Sequence, residues 1–232
     1  DAQESRGLGD VYKRQILTGA PVRGEILAAD RVKAREKFGL TDDDQLVVSF
    51  WGSMGAKYMN EHMAGELAFE CKNGVPYHHV HATGAAAREW LPRMAKEQGA
   101  DFDAHPNIKV TEYIYDMADR MAAADLIVCR AGAATLGELC MLGRPALLVP
   151  SPYVAENHQE KNARALEKEG GCRVLLEKDA NPQVLYDEIQ DLLSDRDRLH
   201  RMGHDATKLA AHDASEKIYQ EILWAIENHG KK

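Results

Sequence analysis

The sequence predicts an α/β fold, a doubly wound parallel sheet of Rossmann-like type, on three observations. Short apolar runs of strand length alternate with longer helical runs along most of the chain. The segments between successive apolar runs are too long for hairpins, so the strands must be joined by crossovers and lie parallel. Right-handed crossovers then place helices on both faces of one sheet. Two small-residue stretches, GSMGA at 52–56 and AGAAT at 131–135, each follow directly on an apolar run. The carboxyl ends of parallel strands are where such sheets bind ligands.

Taken in order, residues 1–15 (DAQESRGLGDVYKRQ) show no periodicity. Their last six residues, DVYKRQ, back-translate to a string that looks like the mosaic end of a transposase adapter used in preparing sequencing libraries. Such a segment is set aside from fold reasoning. Residues 1–15 are therefore expected to be non-native, and residues 16–232 to form one domain truncated on its N-terminal side. LTGAPVR at 17–23 leads into a turn, with Arg23 its only charge. A helix is expected over Ala28–Phe38, stopped by Gly39, with a polar turn at Thr41–Asp44. LVVSFW at 46–51 is a buried-type strand, followed by the GSMGA loop and a helix over Lys57–Lys72. A strand over Val75–Ala82 gives way to TGAAA and a helix over Arg88–Gln98. Strand Ile108–Tyr113, helix Asp116–Ala124 and strand Leu126–Cys129 follow. Cys129–Ala163 then supplies a strand end at Arg130, a small-residue loop, a helix, a strand over Pro145–Val149 and the start of a helix over Asn157–Glu169. The last strand is Cys172–Leu176, and charged helices cover Pro182–His229.

The 232 residues are 44% hydrophobic and 28% charged with mean hydropathy −0.45, the composition of an ordinary globular chain of one large or two small domains. A net charge of −8 and a pI near 5.7 argue against a nucleic-acid surface, which needs a basic face. The four cysteines are scattered, with no CxxC or zinc-type spacing, so free thiols in a reducing compartment are expected. No apolar run reaches the roughly 18 residues of a membrane span, and no signal-peptide pattern opens the chain. A cytoplasmic location is the expectation.

Several residues carry candidate chemistry. Small residues between a strand and a helix leave backbone N–H groups open to a phosphate, and Ser53 can add a hydroxyl. Glycines also serve such turns for steric reasons alone, so the two loops together argue for a phosphate site more strongly than either does separately. Glu138, inside the helix that follows the second loop, can accept two hydrogen bonds from a vicinal diol, as ribose is often held. A helical glutamate also serves the dipole or the solvent, and the sequence alone leaves both open. Arg23 suits a diphosphate or a surface. Gln159 offers a donor and an acceptor to sugar hydroxyls or to a cap, and His158 beside it is a second candidate for substrate contact. His79 and His81 share a strand face, but no carboxylate or thiolate joins them at ligand spacing in the sequence, so core histidines rather than metal ligands are expected.

Six segments occur in a fixed order: TGAPVR at 18–23, GSMGA at 52–56, HATG at 81–84, EYIYDM at 112–117, CRAGAATLGE at 129–138 and HQEKNA at 158–163. Over residues 16–232 this order resembles the C-terminal half of the MurG family, the peptidoglycan N-acetylglucosaminyltransferases. The resemblance implies a C-terminal domain of the two-domain GT-B architecture. It implies an inverting hexosyltransferase that moves N-acetylglucosamine from UDP-N-acetylglucosamine to undecaprenyl-pyrophosphoryl-N-acetylmuramoyl-pentapeptide, lipid I to lipid II, in cell-wall synthesis, with peripheral association on the inner face of the membrane. On the matched positions it implies Arg23 near the donor, Ser53 in the phosphate loop and the backbone of Ile114 on uracil. It also implies Ala133, Ala134, Thr135, Leu136, Gly137 and Glu138 at the diphosphate and ribose, with Glu138 on the ribose hydroxyls, and Gln159 on the sugar hydroxyls. No catalytic residue is implied in this chain, since the base and the acceptor loop belong to the other half of the family's length.

Three positions depart from the family pattern: Ala20 for an asparagine, Trp51 for a glycine and Met54 for a glutamine whose hydrogen bonds methionine cannot make. Leaving-group stabilisation without a metal or cofactor is expected. Two other readings stand beside this one. One is a related GT-B lipid glycosyltransferase or UDP-N-acetylglucosamine epimerase. The other is a non-catalytic UDP-sugar-binding subunit that needs a partner.

Overall fold

The computed structural model describes Ile16 and residues 18–228. Residues 1–15, assigned above to an adapter-derived segment, and His229 lie outside the described residues. Two compact units are present, residues 22–210 and a smaller unit formed by the described residues before Val22 and after Ala210. Each is described by itself.

The larger unit holds six strands: β1 (Leu46–Phe50), β2 (His78–Ala82), β3 (Ile108–Thr111), β4 (Leu126–Cys129), β5 (Ala146–Leu148) and β6 (Cys172–Val174). They form one sheet in the order β3-β2-β1-β4-β5-β6, with every pairing parallel. The chain order reverses between β1 and β4, which makes that boundary the topological switch point. Its register pairs Phe50 with Cys129, so the loops that leave the two strands start at the same level.

The helices are α1 (Gly24–Ala28), α2 (Arg31–Phe38), α3 (Lys57–Asn73), α4 (Trp90–Glu97), α5 (Met117–Ala123), α6 (Ala133–Leu142), α7 (His158–Lys168), α8 (Pro182–Leu193) and α9 (Arg196–Ala206). Alternation along β1 divides the core. Val47 faces a cluster with α3, α4 and α8, built on Met63, Leu67, Leu91, Leu185 and Ile189. Leu46 and Val48 face a second cluster with Ile26, Met121, Leu139 and Leu166. Both faces are covered, which is why β1 and β4 read as continuous apolar runs. Each fully buried aliphatic side chain contributes on the order of 1.5–3 kcal/mol, so the sheet is held from both sides.

Several boundaries differ from expectation, and three of them have a clear local reason. The helix expected over Ala28–Phe38 is two helices: Ala29 is extended, and Asp30 starts α2 as a new N-cap by accepting from Lys33 N at 2.9 Å. β2 begins at His78 rather than Val75, because the carbonyls of Val75 and Tyr77 are taken by the Asn107 side chain at 3.2 and 2.7 Å. The C-terminal helical stretch breaks at Asp195, whose side chain accepts from Arg198 N and caps α9. The smaller unit contains α10 (Ala214–Asn228), which leaves Tyr219, Ile222, Trp224 and Ile226 largely exposed. Among the described residues no helix is long and apolar enough to cross a membrane.

Candidate functional site

The two small-residue loops leave adjacent strands at the switch point. After β1 the chain turns through Gly52 and Gly55, both in the left-handed region at φ 87° and 74°, with Gly55 N donating to Gly52 O at 3.0 Å. The turn is seated on the end of β2: a Cβ on Gly55 would stand 2.3 Å from the Thr83 carbonyl, and one on Gly84 would stand 2.4 Å from Gly55 N. Only glycine permits that approach. Ser53 and Met54 project from the tip and are exposed.

After β4, Gly132 caps α6 with no side-chain hydrogen bond, and Ala133 and Ala134 are exposed. The first N–H groups of this ten-residue helix are therefore unblocked by any side chain and carry the partial positive charge of a helix N-terminus. Glu138, 8% exposed, lies one turn further in. Arg23 reaches it across 115 residues of sequence, with Nε 2.7 Å from Oε1. The Glu138 hydrogen bond is the main cause holding the Arg23 guanidinium above its ordinary range. Leu136 and Gly137 are half-buried on the same helix.

Ile114 follows β3 and is buried in the core cluster that contains Ile26 and Leu139. It is flanked by Tyr113 and Tyr115, which are exposed and meet edge to face with centroids 5.1 Å apart. Gln159, in the first turn of α7, accepts through Oε1 from Ser151 N at 2.9 Å. Its oxygen is thereby committed to the loop after β5, and its amide N–H groups remain as donors. Glu156 and Asn157 both take φ near +50° before α7, a conformation that non-glycine residues hold only when the surroundings enforce it. His158 turns back on its own loop, with Nδ1 3.0 Å from Ala155 O.

The expected residues thus line the carboxyl edge of the sheet. Arg23 and Glu138 are in direct contact, and the loops carrying Ser53 and Ala133–Thr135 leave adjacent strands. Gln159 lies one strand further along, with no hydrogen bond to Glu138 or Arg23 among the described residues.

Some features were not anticipated. Arg130, where β4 ends, donates to Val149 O at 3.0 Å, pairs with buried Glu177 and lies 5.8 Å above the Trp51 ring. Trp51 is therefore a buried prop beneath the first loop, 3% exposed. A lone arginine at a strand end carries no sequence signal for that role. The expectation that no carboxylate joins the strand histidines needs correction. Glu70, nine residues before His79, stands 2.8 Å from its Nδ1 because α3 runs back across β2. The core placement of His79 and His81 holds, since both are fully buried. At the opposite, amino edge of the sheet a concavity of about 570 Å³ is lined by Arg31, Arg35 and Arg144. Arg31 and Arg35 are engaged with Asp125 and with carbonyls at the end of α5, which is helix-capping work.

The profile of the Glycosyltransferase family 28 C-terminal domain matches residues 46–218. The UDP-N-acetylglucosamine--N-acetylmuramyl-(pentapeptide) pyrophosphoryl-undecaprenol N-acetylglucosamine transferase of Acetivibrio thermocellus is 45% identical over 213 residues, which is 92% of this chain and 56% of that protein. The enzyme of the same name from Ruminiclostridium cellulolyticum is 39% identical over 210 residues, covering 90% and 56%. Among solved structures, Acinetobacter baumannii MurG superposes with a TM-score of 0.70 at 30% identity, over 85% of this chain and 54% of that one. The chain spans about half the length of the curated relatives it matches.

Proposed function

The chain belongs to the Glycosyltransferase family 28 C-terminal domain family, and from that premise we propose that it is the donor-binding half of a GT-B enzyme. The proposed enzyme transfers N-acetylglucosamine from UDP-N-acetylglucosamine to undecaprenyl-pyrophosphoryl-N-acetylmuramoyl-pentapeptide. The observation that carries this reading is the Arg23–Glu138 pair beside the open N-terminus of α6. The buried carboxylate can accept from a ribose diol, and the unblocked helix end one turn away can receive a diphosphate.

In this reading the diphosphate lies on the N–H groups of Ala133, Ala134 and Thr135, with the Ser53 hydroxyl and Arg23 Nη groups completing its shell. Leu136 and Gly137 shape the floor, and Glu138 accepts from the ribose hydroxyls. Uracil lies against the backbone at Ile114, and the Gln159 amide donates to the N-acetylglucosamine hydroxyls. The reaction breaks the bond from the anomeric carbon to the diphosphate oxygen while an acceptor hydroxyl forms the new glycosidic bond. Negative charge grows on the departing UDP, and fixed N–H dipoles and a guanidinium stabilise it most at that moment. The acceptor, its general base and the peripheral membrane contact are assigned to the part of the relatives' length that this chain does not span. On its own the chain binds donor and transfers nothing.

Titration with UDP-N-acetylglucosamine, UDP-glucose and ADP tests the reading. Saturable binding in that order of affinity supports it. No binding of any uridine nucleotide, or equal binding of ADP, overturns it.

A further inference from the structure

The face of β2 that packs on α3 carries an unusual load for a sheet interior. Glu66 and Glu70, one turn apart on α3, and His79 on β2 are all fully buried. One ligand atom from each lies within 4.8 Å of the other two. His79 Nδ1 is 2.8 and 3.0 Å from the two Glu70 oxygens. Apart from the neighbouring Glu70 carboxylate, no hydrogen-bond partner among the described residues reaches either oxygen of Glu66. A buried carboxylate without a donor or a cation is strongly unfavourable.

The surrounding hydrogen bonds fix where the protons sit. Asn60 Nδ2 donates to Thr83 O at 2.8 Å, so Asn60 Oδ1 is the atom that faces His81 Nε2 at 3.2 Å, and that nitrogen carries the proton. A buried imidazole with no carboxylate contact holds one proton, which leaves His81 Nδ1 to accept from the Ser49 hydroxyl at 2.7 Å. Ser49 Oγ in turn accepts from His79 Nε2–H at 2.7 Å. His79 turns Nδ1 toward the Glu70 carboxylate, with Glu66 beside it. Two buried carboxylates exceed the charge that one imidazole can offset, which favours a cation between them. A ligating histidine typically donates its other ring N–H to a hydroxyl, carbonyl or carboxylate, as His79 does to Ser49. Glu70 is held the same way, by the Tyr77 hydroxyl at 2.7 Å.

We propose that Glu66, Glu70 and His79 form a buried structural site for one divalent ion of the zinc class, which fastens α3 to β2. Two carboxylates balance the ion's charge, and the three side chains together offer one nitrogen and four carboxylate oxygens, enough donors for an ion of the zinc class. The ion takes no part in group transfer. It anchors the Ser49–His81–Asn60–Thr83 chain, whose last carbonyl is the seat of Gly55 in the first loop.

The test uses the full, tag-free chain, unfolded with EDTA and refolded with and without zinc chloride, with cobalt(II) as a spectroscopic probe. The expected result is one zinc per chain retained through gel filtration, ligand-field absorption with cobalt, and a higher Tm for the zinc-refolded protein. Glu66→Gln and His79→Gln are expected to lose the retained metal. Wild-type protein that retains no metal and shows the same Tm either way overturns the proposal and assigns Glu66 and Glu70 a shared proton instead. Stoichiometric zinc retained by Glu66→Gln overturns it equally. Should either variant fail to fold, the wild-type metal content decides alone.

Discussion

Arg23 Nε donates to Glu138 Oε1 at 2.7 Å and covers the carboxylate at the inner end of the candidate site. Glu138's side chain is 11% exposed and Arg23's 51%, so the arginine is the movable partner. On the proposed reading a ribose that engages Glu138 competes with Arg23 and frees its donors for the phosphates. Arg23→Ala is expected to weaken UDP binding roughly tenfold or more, since a hydrogen bond to a charged group contributes about 1.5–3 kcal/mol. Uridine, which lacks phosphate, is expected to bind the variant no more weakly than wild type. Parallel calorimetric titrations check this, and equal losses for the two ligands contradict the exchange.

Gly55 is confined twice, by its φ of 74° and by the Thr83 carbonyl 2.3 Å from any added Cβ. Gly52 shares the positive φ but has nothing within 4 Å of its Cβ position. Gly52→Ala is expected to lose about 1 kcal/mol of stability from backbone strain alone. Gly55→Ala is expected to lose about 2–4 kcal/mol and to abolish nucleotide binding, because the loop must lift off Thr83. Urea unfolding of both variants, read with UDP titration, separates the two effects.

Glu177 is 5% exposed and ion-paired to Arg130, which lies over the Trp51 ring. Removing one partner of a buried pair leaves the other charge uncompensated, at about 3–5 kcal/mol. Glu177→Ala is expected to lower the urea midpoint accordingly. Arg130→Met, which keeps the stem and removes the charge, is expected to rescue part of the loss in the double variant. No rescue contradicts the pairing.

Burial pushes the Cys140 thiol up to about 11 and Cys172 up to about 12, and raises Cys129 further. Raised folded-state values mean that the neutral thiols contribute stability below the unfolded value near 8.5, and that this is lost as pH rises through the folded values. Each group contributes up to about 1.4 kcal/mol per pH unit in that window. Tm is expected to hold to pH 8 and fall steeply between pH 9 and 11. At pH 8 native protein is expected to resist iodoacetamide, and all four cysteines are expected to react in urea.

Much of the fold was legible because a sheet buried on both faces writes itself as apolar runs: LVVSF and LIVC name their strands directly. The second strand was harder. HHVHA is polar by composition, and its burial depends on Glu70, Asn60 and Ser49, which only the crossover of α3 brings near. Ala29 and Asp30 show the limit of helix periodicity, since one capping side chain restarts the helix there. At the site, the two loops and Glu138 carried local signals. The Arg23–Glu138 contact and the Arg130–Glu177 prop did not, because pairs so distant in sequence leave no spacing to read.

The central claim is that Glu138 is the ribose acceptor of a UDP-sugar site, and calorimetric titration of UDP into wild type and Glu138→Ala tests it most directly. Weak, saturable binding is expected for wild type, and at least a tenfold loss in the variant, about 1.5–3 kcal/mol, with the fold preserved. Equal affinities for UDP in the two proteins, or no UDP binding by wild type, would contradict it.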